Sequence, residues 1–160
     1  MERITIVCVG KIKEKYLRDA IAEYAKRLGR YCRLEIRECA DEPNREGASE
    51  RGDEMIRNTE GERILAAIPP EAYVIALDLR GKMLDSVDFA KKIGRLASSG
   101  RSHIVFVIGG SLGLSGKVLS RADFRLCFSL MTFPHQLMRV ILSEQIYRAF
   151  RILRNEPYHK

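Results

Sequence analysis

Ile104-Val105-Phe106-Val107-Ile108-Gly109-Gly110-Ser111-Leu112-Gly113 is the stretch on which the fold turns. An unbroken run of β-branched and aromatic residues reads as a strand covered on both faces, the condition of a parallel sheet between helical layers. The run ends in glycines, which let the backbone approach a ligand with no Cβ in the way. In an open α/β sheet, ligands bind at the carboxyl ends of central strands, and these glycines stand at such an end. Taken alone, the pattern suits a ligand loop and a bare strand-to-helix turn equally well.

Working outward, four further strand-like runs are Ile4 to Val9, Leu34 to Cys39, Tyr73 to Leu79 and Phe124 to Phe128. Ile4 to Val9 is almost as continuously apolar as Ile104 to Ile108, so these two strands are expected at the centre. Helical spacing of apolar residues separates the runs. Lys13 to Leu28 ends at Gly29; Ser49 to Ile68 is weakened by Gly52 and Gly61 and stopped by Pro69-Pro70; Ser86 is expected to cap a helix reaching Ala97. Ala40 to Ala48 reads as an exposed, mobile loop. The alternation predicts an α/β fold with an open parallel sheet and helices on both faces. Residues 1–160 suit a single domain.

Lys and Arg number 28 against 21 Asp and Glu, a net charge of +7, which favours a polyanionic partner such as nucleic acid. The opening residues read directly as a strand, so no signal peptide is expected, and no apolar run approaches membrane-spanning length. Cys8, Cys32, Cys39 and Cys127 form no C-x-x-C pair and have no neighbouring histidines, so no metal site is expected and reduced thiols in the cytoplasm are.

Gly10-Lys11-Ile12-Lys13 after the first strand is not the glycine fingerprint of a dinucleotide site, and no P-loop occurs. Loops after three strands can instead converge: Arg80-Gly81, Gly109 to Gly113, and Ser129 to Phe133. Their polar groups are mainly backbone and hydroxyl, which suits a ligand read by main-chain hydrogen bonds. On the last helix Met138, Ile141, Leu142, Ile146, Ala149, Ile152 and Leu153 share an arc expected to face the sheet. Arg148, Arg151 and Arg154 lie opposite, around an apolar strip of Leu137, Val140 and Tyr147 that a partner subunit can cover.

Several separated motifs carry a family resemblance. Leu77-Asp78-Leu79-Arg80-Gly81-Lys82, Phe106 to Ser111, Met131-Thr132-Phe133-Pro134-His135-Gln136, Tyr147-Arg148-Ala149 and the terminal Tyr158-His159-Lys160 closely resemble the RlmH (YbeA) family. Val9-Gly10-Lys11 fits as well, so the resemblance spans the chain. It implies a SPOUT methyltransferase whose C-terminal segment forms a trefoil knot around S-adenosyl-L-methionine, a topology no periodicity shows. It also implies a homodimer that methylates N3 of a pseudouridine in helix 69 of 23S rRNA, on the assembled ribosome. Carried onto this sequence, cofactor contacts fall on Leu77, Gly109, Phe128, Ser129, Leu130, Met131, Thr132 and Phe133. Leu130 departs from the family pattern, so its contact is expected through the backbone.

The tail residues Tyr158 and His159 match those the family places near the target base. An imidazole with an ordinary pKa of about 6.5 can take the N3 proton, so His159 is the candidate base, with Tyr158 orienting the ring. The alternative is that both only bind RNA. Arg148, Arg151 and Arg154 are the candidate phosphate contacts. His135 is expected to be structural, and His103 to sit at an exposed strand edge. Two other functions stay open: a non-catalytic rRNA-binding protein, and an enzyme acting on a small nucleotide.

Overall fold

A computed structural model of the chain describes residues 1–43, 47 and 49–160. In chain order the elements are β1 (Glu2–Val9), α1 (Lys15–Leu28), β2 (Cys32–Cys39), α2 (Glu50–Ala66), β3 (Tyr73–Met83), α3 (Ser86–Ser98), β4 (His103–Ile108), α4 (Gly116–Arg121), β5 (Phe124–Cys127) and α5 (His135–Leu153). The strands form one sheet in the order β2-β1-β4-β3-β5, with every pairing parallel. The expected open parallel sheet is thus present, with the two most apolar strands, β1 and β4, side by side inside it.

Because successive side chains of a strand point to opposite faces, β1 and β4 each feed two cores. Ile4, Ile6, Ile104 and Phe106 pack under Phe89 and Ile93 of α3 and Leu142 and Ile146 of α5. Val7, Val9, Val105 and Val107 pack on the other face against Ile64 of α2 and Val118 of α4. Each such side chain removed from water contributes about 1.5–3 kcal/mol. Double burial is what demanded the unbroken apolar runs.

Short α4 has no counterpart in the sequence reading, because six residues show too little periodicity. It accounts for Gly61, which looked like a weak point of α2. A Cβ there would stand 2.3 Å from Ser115 Oγ, the hydroxyl that caps α4 by accepting the Val118 N–H. The glycine therefore lets two helices meet. At α3 the expected cap is displaced by one residue: Asp85 accepts the Asp88 N–H at 2.7 Å, while Ser86 donates to Gln145 of α5. Asp85 competes better because a carboxylate forms the stronger cap.

His103 departs from expectation. It is 5% exposed, and its Nε2 lies 2.9 Å from Thr5 Oγ1 of the adjacent strand. On one side β1 extends past this level, pairing Arg3 with His103, and Thr5 takes up the imidazole, so the strand's first residue is covered rather than exposed. Gly81 also differs: β3 bulges after Leu77 and returns beside β5, so Gly81 abuts the Arg125 backbone, where a Cβ would come within 2.7 Å. It serves strand pairing, not a ligand loop. The part of the Ala40 to Ala48 loop at residues 44–46 and 48 lies outside the described residues. Among the described residues, no helix is long and apolar enough to cross a membrane.

Candidate functional site

The carboxyl ends of β3, β4 and β5 enclose a cavity of about 160 Å³. Its walls are Leu77 and Leu79 from β3, Ile108 of β4 with Gly109 and Gly110 after it, Leu126 and Cys127 from β5, the segment from Phe128 to Phe133 apart from Leu130, and Met138 of α5. All the sequence-expected cofactor residues border it except Leu130, which is 81% exposed and turned away. Convergence of three loops thus holds, with Leu79 and Asp78 standing where Gly81 was expected.

Local hydrogen bonds shape these loops. Gly113 donates to the Gly110 carbonyl, with Gly113 at φ +83°, a left-handed conformation that favours glycine. A Cβ on Gly109 would stand 2.9 Å from the Gly113 carbonyl carbon, so the loop can fold this tightly only with glycine there. In the β5–α5 segment, Ser129 Oγ accepts the Met131 N–H at 3.0 Å and the Cys127 thiol donates to the Ser129 carbonyl. The result is a largely apolar slot edged by backbone groups, suited to a flat heteroaromatic ring.

A second, larger cavity of about 610 Å³ adjoins the first at the ends of β1, β2 and β4. Gly110 and His135 border both. His135 opens α5, and burial, then the Arg139 charge, lowers its pKa and favours the neutral imidazole. Glu60 of α2 is 5% exposed; its Oε2 accepts the Glu42 N–H at 3.0 Å, and burial raises its pKa. Sequence reasoning took His135 as structural and missed Glu60. Only the neighbouring Gly61 signalled that α2 approaches other backbone at this point.

Arg139 was also missed, since a lone arginine amid an apolar arc reads as solvated. It is 1% exposed and donates to Glu38 at 2.7 Å and to the Val9 and Gly10 carbonyls at 2.8 Å each. Those carbonyls terminate β1, where the sheet no longer supplies donors. Arg139 thereby ties the start of α5, including His135, to the floor of the second cavity.

The C-terminal tail is held at the far end of α5. Arg151 donates to Glu156, the Tyr31 hydroxyl and the Pro157 carbonyl. Tyr158 packs edge-on against Tyr147 at 4.9 Å, and its hydroxyl faces Glu144 at 3.4 Å; burial, then Glu144, raises its pKa. His159 Nδ1 lies 3.1 Å from an Arg148 nitrogen, whose guanidinium also binds Glu144 at 2.7 Å. Arg154 is exposed, stacked over the Tyr31 ring at 4.8 Å. Tyr147, expected in an uncovered strip, is instead packed by the chain's own Tyr24, Tyr31 and Tyr158. With a rise of about 1.5 Å per residue, the turn bearing Arg148 and His159 lies roughly 20 Å along α5 from His135. Within one chain the tail and the cavities are therefore separate.

The family described as "Predicted SPOUT methyltransferase" matches residues 2–159. A curated relative from Clostridium kluyveri, named ribosomal RNA large subunit methyltransferase H, is 57% identical over 157 residues, 98% of this chain and 99% of the relative. One of the same name from Clostridium beijerinckii is 60% identical over the same shares. Among solved structures, a probable methylase family protein from Haemophilus influenzae superposes with a TM-score of 0.55 at 16% identity, over 99% of this chain and 71% of the other, and shares the fold. By the match of nearly its whole length, this chain belongs to the SPOUT methyltransferase family.

Proposed function

We propose that this protein methylates 23S rRNA, transferring the methyl group of S-adenosyl-L-methionine to N3 of a pseudouridine in helix 69 of the assembled ribosome. The observation that carries this reading is the three-loop cavity at the ends of β3, β4 and β5, in a chain whose relatives are named for large-subunit rRNA methylation. The residues fit the cofactor. Leu77, Leu126 and Phe128 offer apolar faces for adenine, the segment from Phe128 to Phe133 offers backbone groups for its edge, and Gly109 leaves the approach open. Bound there, the cofactor supplies a sulfonium methyl group for in-line displacement.

What the chain contributes is alignment and proton removal. One protomer cannot bring its own tail to its own cavity, so the working unit is a homodimer in which Tyr158 and His159 of one copy reach the cavity of the other. Exposed Leu79 and Met131 on the cavity wall, with exposed Leu130 next to Met131 in the chain and Leu137 in the first turn of α5, furnish an apolar surface for that copy. His159 accepts the N3 proton, Tyr158 orients the base, and Arg148, Arg151 and Arg154 meet rRNA phosphates, the first two while also holding the tail. The segment from Phe128 into α5 forms the knotted part of the fold. The cytoplasm, where ribosomes are assembled, is the place of action.

The test is transfer of labelled methyl from S-adenosyl-L-methionine to ribosomes that lack the modification, with cofactor binding measured by calorimetry. Wild-type protein methylates the pseudouridine; His159→Ala loses turnover by about 10²–10⁴-fold, the span of a general base, while cofactor affinity is retained. Undiminished turnover in that variant refutes the base assignment, and absence of transfer by wild type refutes the function.

A further inference from the structure

The second cavity has no role in cofactor binding as described above, yet it is the larger of the two and shares Gly110 and His135 with the first. We infer that it is the pocket for the target nucleotide, that Glu60 reads the base through an N–H group, and that Lys11 and Lys13 hold the flanking phosphate. The inference rests on the rRNA methyltransferase reading and adds a substrate subsite to it.

Size is the first argument. A cavity of about 610 Å³ falls within the range that encloses small-molecule ligands and is ample for one nucleotide. Position is the second. In-line transfer needs acceptor and donor atoms about 3–3.5 Å apart, and cavities that share Gly110 and His135 make their ligands neighbours.

The third argument is the distribution of charge. Among the carboxylates on the walls, Glu38 is paired with Arg139 and Glu42 with Arg63, while Asp41 is exposed to water at the rim without an ion pair among the described residues. Glu60 has no ion pair among the described residues, although it is 5% exposed. Its Oε2 is occupied by the Glu42 N–H, while Oε1 has no hydrogen-bond partner there. That oxygen points toward the β4 end: a Cβ on Gly110 would stand 3.2 Å from it. A carboxyl oxygen left open at the floor of a cavity can accept from a ligand donor. Lys11 and Lys13 line the same cavity, are exposed and make no ion pair among the described residues. Cations at the rim with an acceptor at the floor match a nucleotide, whose phosphate is anionic and whose base edge carries N–H donors.

The arrangement discriminates between bases. Pseudouridine is joined to ribose through carbon, so its ring presents N1–H in addition to N3–H, whereas uridine has only N3–H. With N3 directed at the cofactor, N1–H is the donor left for Glu60. A site that hydrogen-bonds a substrate N–H rejects the analogue lacking it.

The experiment titrates full-length protein, saturated with S-adenosylhomocysteine, with pseudouridine 5′-monophosphate or uridine 5′-monophosphate while following backbone amide resonances. Shifts centred on Gly10, Lys11, Gly110 and Ser111, with at least fivefold tighter binding of the pseudouridine nucleotide, support the pocket. Glu60→Gln retains a carbonyl for the Glu42 N–H and so keeps the loop. It is expected to abolish the preference, and to raise KM on ribosomes at least tenfold, with S-adenosylhomocysteine affinity unchanged within twofold. Lys11→Gln/Lys13→Gln weakens both nucleotides equally. Shifts elsewhere, or a preference that survives Glu60→Gln, overturn the inference. A tenfold loss of S-adenosylhomocysteine affinity in Glu60→Gln also overturns it, by placing the amino-acid end of the cofactor in this cavity. If wild type transfers methyl to ribosomes but these results fail, the subsite is refuted and the parent function stands. If wild type transfers no methyl, the parent function fails.

Discussion

Replacing Arg139 by methionine keeps the packing of its stem and removes the guanidinium. The structure allows the cost to be worked out. Lost are one charged hydrogen bond to Glu38 and two to the Val9 and Gly10 carbonyls. Breaking a buried ion pair from one side costs about 3–5 kcal/mol, but the Glu38 side chain is 35% exposed and water takes up much of its charge. Gly10 is half-buried and its carbonyl rehydrates in part, whereas Val9 is buried and its carbonyl stays orphaned, at about 1–3 kcal/mol. Recovering the guanidinium's desolvation offsets part of the sum. The net expectation is a loss of about 3 kcal/mol. For a chain of this size each kcal/mol is worth roughly 2–4 °C, so Tm falls by about 6–12 °C. Urea unfolding at one fixed protein concentration, together with calorimetry, measures both quantities. Arg139→Lys, whose ammonium can keep the Glu38 contact, is expected between methionine and wild type. A methionine variant within 1 kcal/mol of wild type would refute the claim that this arginine closes the end of β1.

Further outcomes follow from other sites. Gly109→Ala forces apart the turn whose carbonyl carbon lies 2.9 Å from the added methyl, so affinity for S-adenosylmethionine falls at least tenfold by calorimetry and the urea midpoint falls with it. Burial, then the Arg3 charge, depresses the pKa of His103 below its ordinary 6.5. The unfolded chain binds that proton first, so the stability from neutral His103 is complete above pH 6.5 and is lost as pH falls toward the depressed value. Urea midpoints at pH 7.5 and 5.5 are therefore expected to differ more for wild type than for His103→Gln. Burial pushes the Cys8 and Cys32 thiols up to about 12, so iodoacetamide at pH 8 leaves both unmodified in native protein and modifies both in urea, read by mass spectrometry.

What the chain by itself determined are properties set by neighbours in sequence. Continuous apolar runs at Ile4 to Val9 and Ile104 to Ile108 meant strands buried on both faces, and their alternation with helical spacing meant a parallel sheet. Glycines at Gly109, Gly110 and Gly113 marked a loop that only small residues can form, and the motif at Met131 to Gln136 pointed to the cavity it borders. Tertiary structure alone decided what depends on partners distant in sequence. Arg139 is buried because two strand-end carbonyls wait for it across 129 and 130 residues. His103 is covered because β1 runs beside it and offers the Thr5 hydroxyl to its ring. Gly81 pairs with a strand because β3 bulges, and Glu60 faces a cavity because Gly61 lets α2 close on α4. Local pattern records whether a residue must be buried or turned; which polar group meets it inside is settled only when the sheet has brought distant segments together.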